Sequence, residues 1–347
     1  METITIKDIA KLCGVGVSTV SRAMNDHPDI NPETKQMIMD VIRENNYIPN
    51  NSARNLKRTD SKNIAVLVKG VDNPLFSKMI RVIEEEIGKK KYSMVIHQVE
   101  SYEDEVEAAL ELEQEKRLCG IIFLGGFYSE SSESLARLKA PVVLVTSAKP
   151  QFEQNSTYSA VSVDDVRESY KMVDYLCRQG HEDIAIITAT MHDESVGKLR
   201  LLGYYKALQE NNIKVNEKLV KYMDESEDYS MGCGYQMMTE LLESGENISA
   251  VFAISDSLAI GACRAIHDKG LRVPEDIAVA GFDGIDISSY YSPSLTTIIQ
   301  PMEAIAKEAT QILFNVIRDK SMHTRKYFEG ELAVRESTGN NRQDSAD

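Results

Sequence analysis

Between residues 64 and 282 the chain alternates short apolar runs with segments of helical periodicity. Ile64–Val68, Ser93–Gln98, Gly120–Leu124 and Pro141–Val145 read as strands, with helices expected over Ser77–Gly88 and Glu103–Glu115. A second series places strands at Ile184–Thr188, Lys218–Tyr222, Ala250–Ile254 and Ile277–Phe282. Helices at Lys198–Asn211, Tyr229–Ser244 and Ser257–Lys269 separate them. Near-continuous apolar strands joined by helical crossovers specify parallel sheets covered by helices on both faces. Two such series in tandem predict two α/β lobes with a crevice between them. Small molecules bind in such crevices, beyond the carboxyl ends of the strands.

The first sixty residues follow a different rule and predict an all-α head. Ile6 to Leu12 place Ile6, Ile9 and Ala10 on one helical face, with Thr5 as N-cap and Asp8 three residues on. Gly14 ends that helix where the backbone needs positive φ. A second helix starts near Val17. Its Val20 and Ala23 face inward while Ser18, Ser21 and Arg22 project away. A short helix with hydroxyls and an arginine outward suits base edges and phosphates in a major groove. A third helix opens on Asn31-Pro32, with Met37, Ile38, Val41 and Ile42 as its apolar stripe. A small helical packing domain of other purpose would share this layout.

The net charge of −15 belongs to the body: residues 1–62 sum to +1 and the remainder to −16. DNA contact by this head therefore rests on where its basic groups sit, with Arg54, Lys57, Arg58 and Lys62 gathered at its end. No segment approaches the ~18 apolar residues of a membrane span, and the polar N-terminus lacks a signal-peptide pattern, so a cytoplasmic protein is expected. The five cysteines show neither zinc nor disulfide spacing. HExxH, GxxxxGK and GxGxxG are absent, so no catalytic residue, metal or cofactor is expected. A stand-alone small-molecule-binding protein would account for the body and leave the head unexplained.

The stretches IKDIAKLCGVGVSTVSRAMN and NPETKQMIMDVIRENNYIPNNSARNLK resemble the head of the lactose/galactose repressor family of bacterial transcription regulators. VDNPLFSKMIRVIEEEIGKKKY, RLLGYYKAL and FAISDSLAIGACRAIHDKGLRVPEDIAVAGFDGIDISSYYSPSLTTIIQP are similar to its two-lobed body, related to periplasmic sugar-binding proteins. The resemblance runs to about Ser337. It implies a helix-turn-helix domain over 1–48 and a hinge helix and linker over 49–60. The first lobe would comprise 61–161 and 292–323, the second 162–291 and 324–337, with 338–347 a disordered tail. The implied function is a repressor whose operator affinity is controlled by a small sugar between the lobes. A nucleobase or nucleoside corepressor is the alternative effector. The implied partners are a pseudo-palindromic operator and a second copy of the chain, with no membrane; the tail lacks the Leu heptads of a tetramer.

By the same resemblance, Val17, Ser18 and Arg22 are groove-facing specificity positions, and Thr19 and Ser21 lie near phosphates or base edges. Thr5, Asn25, Asn50, Ala53, Arg54 and Lys57 complete the candidate DNA contacts, and Asn25 and Tyr47 help fix the head. Leu56 is a minor-groove wedge in the family reading, or a linker residue packed on the body. Gly16 stands where the family has Ser, which removes a side-chain cap. For the effector, Arg200 is a bidentate clamp or an arginine in a surface ion pair. Asp283 accepts two sugar hydroxyls or caps a helix. Phe76 and Tyr229 are aromatic walls or core. Asn73, Ser255 and Asp256 complete the set; Ser255 replaces the family's usual Asn. Thr146-Ser147-Ala148 replaces the common Asp-Arg pair, so no single sugar specificity transfers.

Overall fold

The computed structural model describes residues 5–24, 27–45, 47, 62–70, 73–100, 103–126, 132–147, 157–224, 229–319 and 322–339. The expected contacts Asn25, Asn50, Ala53, Arg54, Leu56 and Lys57 lie outside the described residues, as do the hinge over 49–60 and positions 340–347. The chain divides into two compact units, Met1–Ser61 and Lys62–Asp347.

The head contains α1 (Ile6–Leu12), α2 (Val17–Met24) and α3 (Pro32–Glu44). Its core is Ile9, Ala10, Val20, Ala23, Ile38 and Tyr47, all buried. Gly14 turns the chain at φ +62°, a region that costs an L-residue with a side chain ~1–2 kcal/mol. Asn31 Oδ1 accepts from Glu33 N at 2.8 Å and Thr34 N at 3.3 Å, capping α3. Met37 departs from the expected stripe. It is exposed, while Ile38 one position on fills the core and Val41 and Ile42 pack beside it.

The body holds two six-stranded sheets. The first is ordered β11-β5-β4-β3-β1-β2, and is formed by β1 (Asn63–Lys69), β2 (Ser93–Val99), β3 (Leu118–Leu124), β4 (Val142–Val145), β5 (Tyr158–Val163) and β11 (Arg325–Phe328), all parallel. Strand β1 shows why its faces are both apolar. Ile64, Val66 and Val68 enter one core with α4 (Pro74–Lys89), and Ala65 and Leu67 enter another with α5 (Glu105–Lys116). The second sheet is ordered β12-β10-β9-β8-β6-β7. Its strands are β6 (Ile184–Thr188), β7 (Val220–Tyr222), β8 (Ala250–Ala253), β9 (Ala278–Asp283), β10 (Thr296–Ile299) and β12 (Glu331–Ala333). Only β12, at one edge, runs antiparallel, against β10. Helices α6 (Asp165–Arg178) and α7 (Val196–Glu210) pack together, as do α8 (Met231–Glu243) and α9 (Asp256–Asp268). The latter pair meets backbone to backbone: a Cβ on Gly234 would lie 2.2 Å from Leu258 O, and one on Gly261 would lie 2.0 Å from Met231 O.

The chain passes between lobes three times: from β5 to α6, from β10 to α10 (Met302–Asp319), and from β11 to β12. Two of the expected boundaries shift. Thr296–Ile299 pairs with β9 in the second sheet, although 292–323 was assigned to the first lobe; only α10 of that segment packs on first-lobe strands. Arg325–Phe328 pairs with β5 in the first sheet, although 324–337 was assigned to the second lobe. Backbone pairing sets which sheet a short strand joins, so neither the buried Thr296–Ile299 nor the exposed edge strand Arg325–Phe328 has a composition that places it. The expected tail also begins too early: Thr338 is buried and its Oγ1 lies 2.8 Å from Thr296 Oγ1.

Candidate functional site

In the head, the α2 residues divide by face. Val17, Ser18 and Arg22 are exposed, Thr19 and Ser21 are half-buried, and Val20 and Ala23 hold the helix to the core. No acidic residue stands in the first turn of α2, so its amino-terminal partial charge is left uncancelled by any local acid. Thr5 is exposed, and both its N–H (2.9 Å) and its hydroxyl (2.6 Å) donate to Asp8 Oδ2. The Thr5 hydroxyl bond holds the Asp8 carboxyl below its ordinary pKa.

In the body, the expected effector residues gather where the second-lobe strands end. Arg200 projects from α7 and is 4 % exposed, which removes the surface ion-pair reading. Its Nε donates to Asp165 Oδ1 at 2.8 Å and its Nη1 to Ile254 O at 2.6 Å. Nη1 also lies 3.4 Å from Asp283 Oδ1, and the guanidinium carbon stands 3.8 Å from the Phe282 ring centroid. Asp283 accepts from Gln300 Nε2 at 2.8 Å and from the Asn73 side chain of the first lobe. It caps no helix. Its backbone sits at φ +116°, a conformation costing ~1–3 kcal/mol that clusters at functional sites. Burial pushes the Asp165 and Asp283 carboxyls up, against the pull of Arg200.

Asp256 lies behind this wall rather than on it. It is fully buried, with Oδ1 accepting from Thr297 Oγ1 at 2.5 Å and Oδ2 from Ile285 N at 2.8 Å. Burial, and then the Asp283 charge, push its carboxyl up to about 8. These bonds tie the start of α9 to β10 and to the chain just after β9. Ser255 is likewise buried and caps α9 by accepting from Leu258 N at 3.3 Å.

Tyr229 is half-buried, with its hydroxyl bonded to Ser195 and within the field of Asp193 and Arg200; burial raises its pKa. A Cβ on Gly197 would stand 3.1 Å from that hydroxyl and 2.4 Å from Asp193 Oδ2, so glycine admits both groups. From the first lobe, Asn73 caps α4 by accepting from Leu75 N at 3.0 Å. Phe76 is buried in the first-lobe core. A Cβ on Gly125, at the end of β3, would lie 2.8 Å from its Cζ, so the ring covers the carboxyl ends of β1 and β3. Lys78 and Asp286 form a second link between the lobes.

Sequence reasoning missed Asp165, Gln300 and Asp193. Asp165 and Gln300 flank two of the lobe crossings, and a polar residue abutting an apolar strand at a crossing was the available signal. Asp193 accepts from Ser195 N, Ser195 Oγ and Lys198 N at 2.8–3.0 Å. Its position before a helix start was visible, but its direction toward Tyr229 was not.

Two family models match the chain. One, described as bacterial regulatory proteins, lacI family, covers residues 5–50, and one, a periplasmic binding protein-like domain, covers residues 173–338. The HTH-type transcriptional regulator MalR of Clostridium butyricum is 42% identical, over 97% of this chain and 100% of the relative. A lac repressor dimer bound to operator and the anti-inducer ONPF superposes with TM-score 0.80 at 25% identity, over 98% of this chain and 100% of that one. The transcriptional regulator CelR in complex with cellobiose gives TM-score 0.71 at 27% identity, over 96% and 99%. Among the described residues, no helix is long and apolar enough to cross a membrane. The chain belongs to the LacI family of bacterial regulatory proteins and is a DNA-binding transcriptional regulator.

Proposed function

We propose that the protein is a repressor that binds a pseudo-palindromic operator as a homodimer and loses or gains operator affinity when a small sugar occupies the cleft between its lobes. One observation carries the sugar reading. Arg200, Asp165, Asp283 and Gln300 form a buried hydrogen-bonded array at the second-lobe strand ends, with Asn73 of the first lobe bonded to it. Rigid carboxylate and guanidinium groups recognise adjacent hydroxyls, and Phe76 and Tyr229 offer ring faces for a pyranose. CelR, of the same fold, is known as a complex with cellobiose. Val17, Ser18 and Arg22 read bases, Thr5, Thr19 and Ser21 hold the backbone, and the segment carrying Asn50, Ala53, Arg54, Leu56 and Lys57 adds minor-groove affinity.

The test is a thermal-shift panel of sugars, sugar phosphates and nucleosides on the full chain, followed by gel-shift on its own promoter. A ligand selective for the folded state raises the melting temperature by mass action. The expected hit is a sugar that changes operator affinity and is lost in Arg200→Ala. Coupling is reciprocal, so operator DNA changes sugar affinity by the same factor. A nucleoside hit would replace the sugar reading, and independent affinities would end the switch.

A further inference from the structure

The charge balance of the cleft says more about the effector than its hydrogen bonds do. Four acidic side chains line or back the second-lobe floor: Asp165, Asp193, Asp256 and Asp283, each no more than 4 % exposed. Against them stands Arg200, already bonded to Asp165 and to Ile254 O and in contact with Asp283. The other described cations near these elements are paired outside the floor: Lys69 with Glu105, Lys78 with Asp286, and Lys198 with Glu194.

Helix amino termini ordinarily supply the missing positive field for an anion. Those at this floor are filled from within the chain. Asp164 accepts from Arg167 N at the start of α6, with Asp165 next in its first turn. Ser195 accepts from Gly197 N and Asp193 from Lys198 N at the start of α7. Ser255 caps α9, and Asp256 is its first residue. On the first-lobe side, Asn73 caps α4.

We infer that the cleft selects an uncharged polyhydroxylated effector, or one bearing an amine, and excludes its phosphorylated form. This rests on the cleft-binding reading above and narrows its ligand class. Hydroxyl groups donate to carboxylates without bringing charge. A phosphate dianion would enter a poorly solvated site whose guanidinium, Arg200, is already engaged by Asp165, Ile254 O and Asp283, so its charge would be buried beside carboxyls rather than paired, which is heavily disfavoured.

Isothermal titration of the full chain with matched pairs tests this: glucose and glucose 6-phosphate, ribose and ribose 5-phosphate, cellobiose and its 6-phosphate, with glucosamine as the cationic member. At least one neutral or amino sugar should bind, and its phosphate ester should bind ~100-fold more weakly or worse. Asp283→Asn, which removes one floor charge at constant shape, should narrow that gap even where it weakens the parent sugar. An ester that binds as tightly as its parent overturns the charge selection and leaves the cleft reading standing. Binding that survives Arg200→Ala, or a panel with no binder at all, overturns the cleft reading and the charge selection with it.

Discussion

The head and the second-lobe floor treat helix amino termini in opposite ways. In the head, α2 begins after Gly16, which has no side chain, and its first turn carries no acid. Its partial positive charge is therefore available to a phosphate, and Ser18 and Arg22 stand exposed beside it. On the floor, α6, α7 and α9 receive Asp164, Asp165, Asp193 and Asp256 from their own chain. One region keeps a helix start open for an anion, and the other closes three of them. The difference teaches that a helix terminus is a binding site only where the local sequence leaves it unfilled.

The largest expected effect falls on the floor. Arg200→Ala leaves Asp165 and Asp283 buried without their cation, and should cost the body ~3–5 kcal/mol in thermal or urea unfolding. A loss below ~1 kcal/mol would mean that the floor carboxyls are not held by charge, and the contrast with the head would collapse.

A smaller effect concerns pH. The carboxyls of Asp256, Asp165, Asp193 and Asp283 are raised on folding, so the folded floor binds more protons than the unfolded chain. Their contribution is fully present below the ordinary carboxylate range and is lost as pH rises toward the Asp256 value of about 8. The body's unfolding free energy should therefore rise as pH falls from 8.5 to 6, by up to ~1.4 kcal/mol per pH unit for one titrating group at the steepest point, and its melting temperature with it. Asp256→Asn should flatten the slope. A melting temperature that climbs with pH over this range would contradict carboxyls raised by burial.

In the head the expected changes are local. Gly14→Ala keeps open space around the new Cβ but forces it to φ +62°, and should cost ~1 kcal/mol in unfolding of the head. Gly16→Ser restores a cap to α2. Its Cβ would sit 3.5 Å from Ser18 Oγ, an ordinary contact, so a gain of ~0.3 kcal/mol is expected. Gel-shift on the same variant sharpens the comparison, because a filled α2 terminus should change operator affinity more than it changes stability.

The architecture was legible in the sequence because its signals are local. Each strand of the two expected series was present within a few residues, and Asn31, Gly14, Val20 and Ala23 hold the positions their types dictate. The lobe crossings were harder. Thr296–Ile299 stays in the sheet of the strand before it, while Arg325–Phe328 returns to a sheet built from residues 63–163, and the residue pattern of neither strand says which sheet it joins. At the site, Asp283 was singled out by its strand-end position and Arg200, inside α7, by the family resemblance. Their partners Asp165 and Gln300 are 35 and 17 residues away, so the bonds between them exist only in three dimensions. Asp256 is equally suggestive by sequence position, and the fold turns its carboxylate toward Thr297 and Ile285, which no local pattern announces.

The three passages between lobes also order events in time. The first sheet lacks its edge until Arg325–Phe328 pairs with Tyr158–Val163, and the second lacks one until Glu331–Ala333 reaches Thr296–Ile299. During synthesis the head emerges and folds early, being local and helical, while both sheets wait for the last strands of the chain. A nascent regulator thus has a finished reading head before it has a finished sensor, and nothing upstream of residue 325 can complete either sheet of the lobes that would govern it.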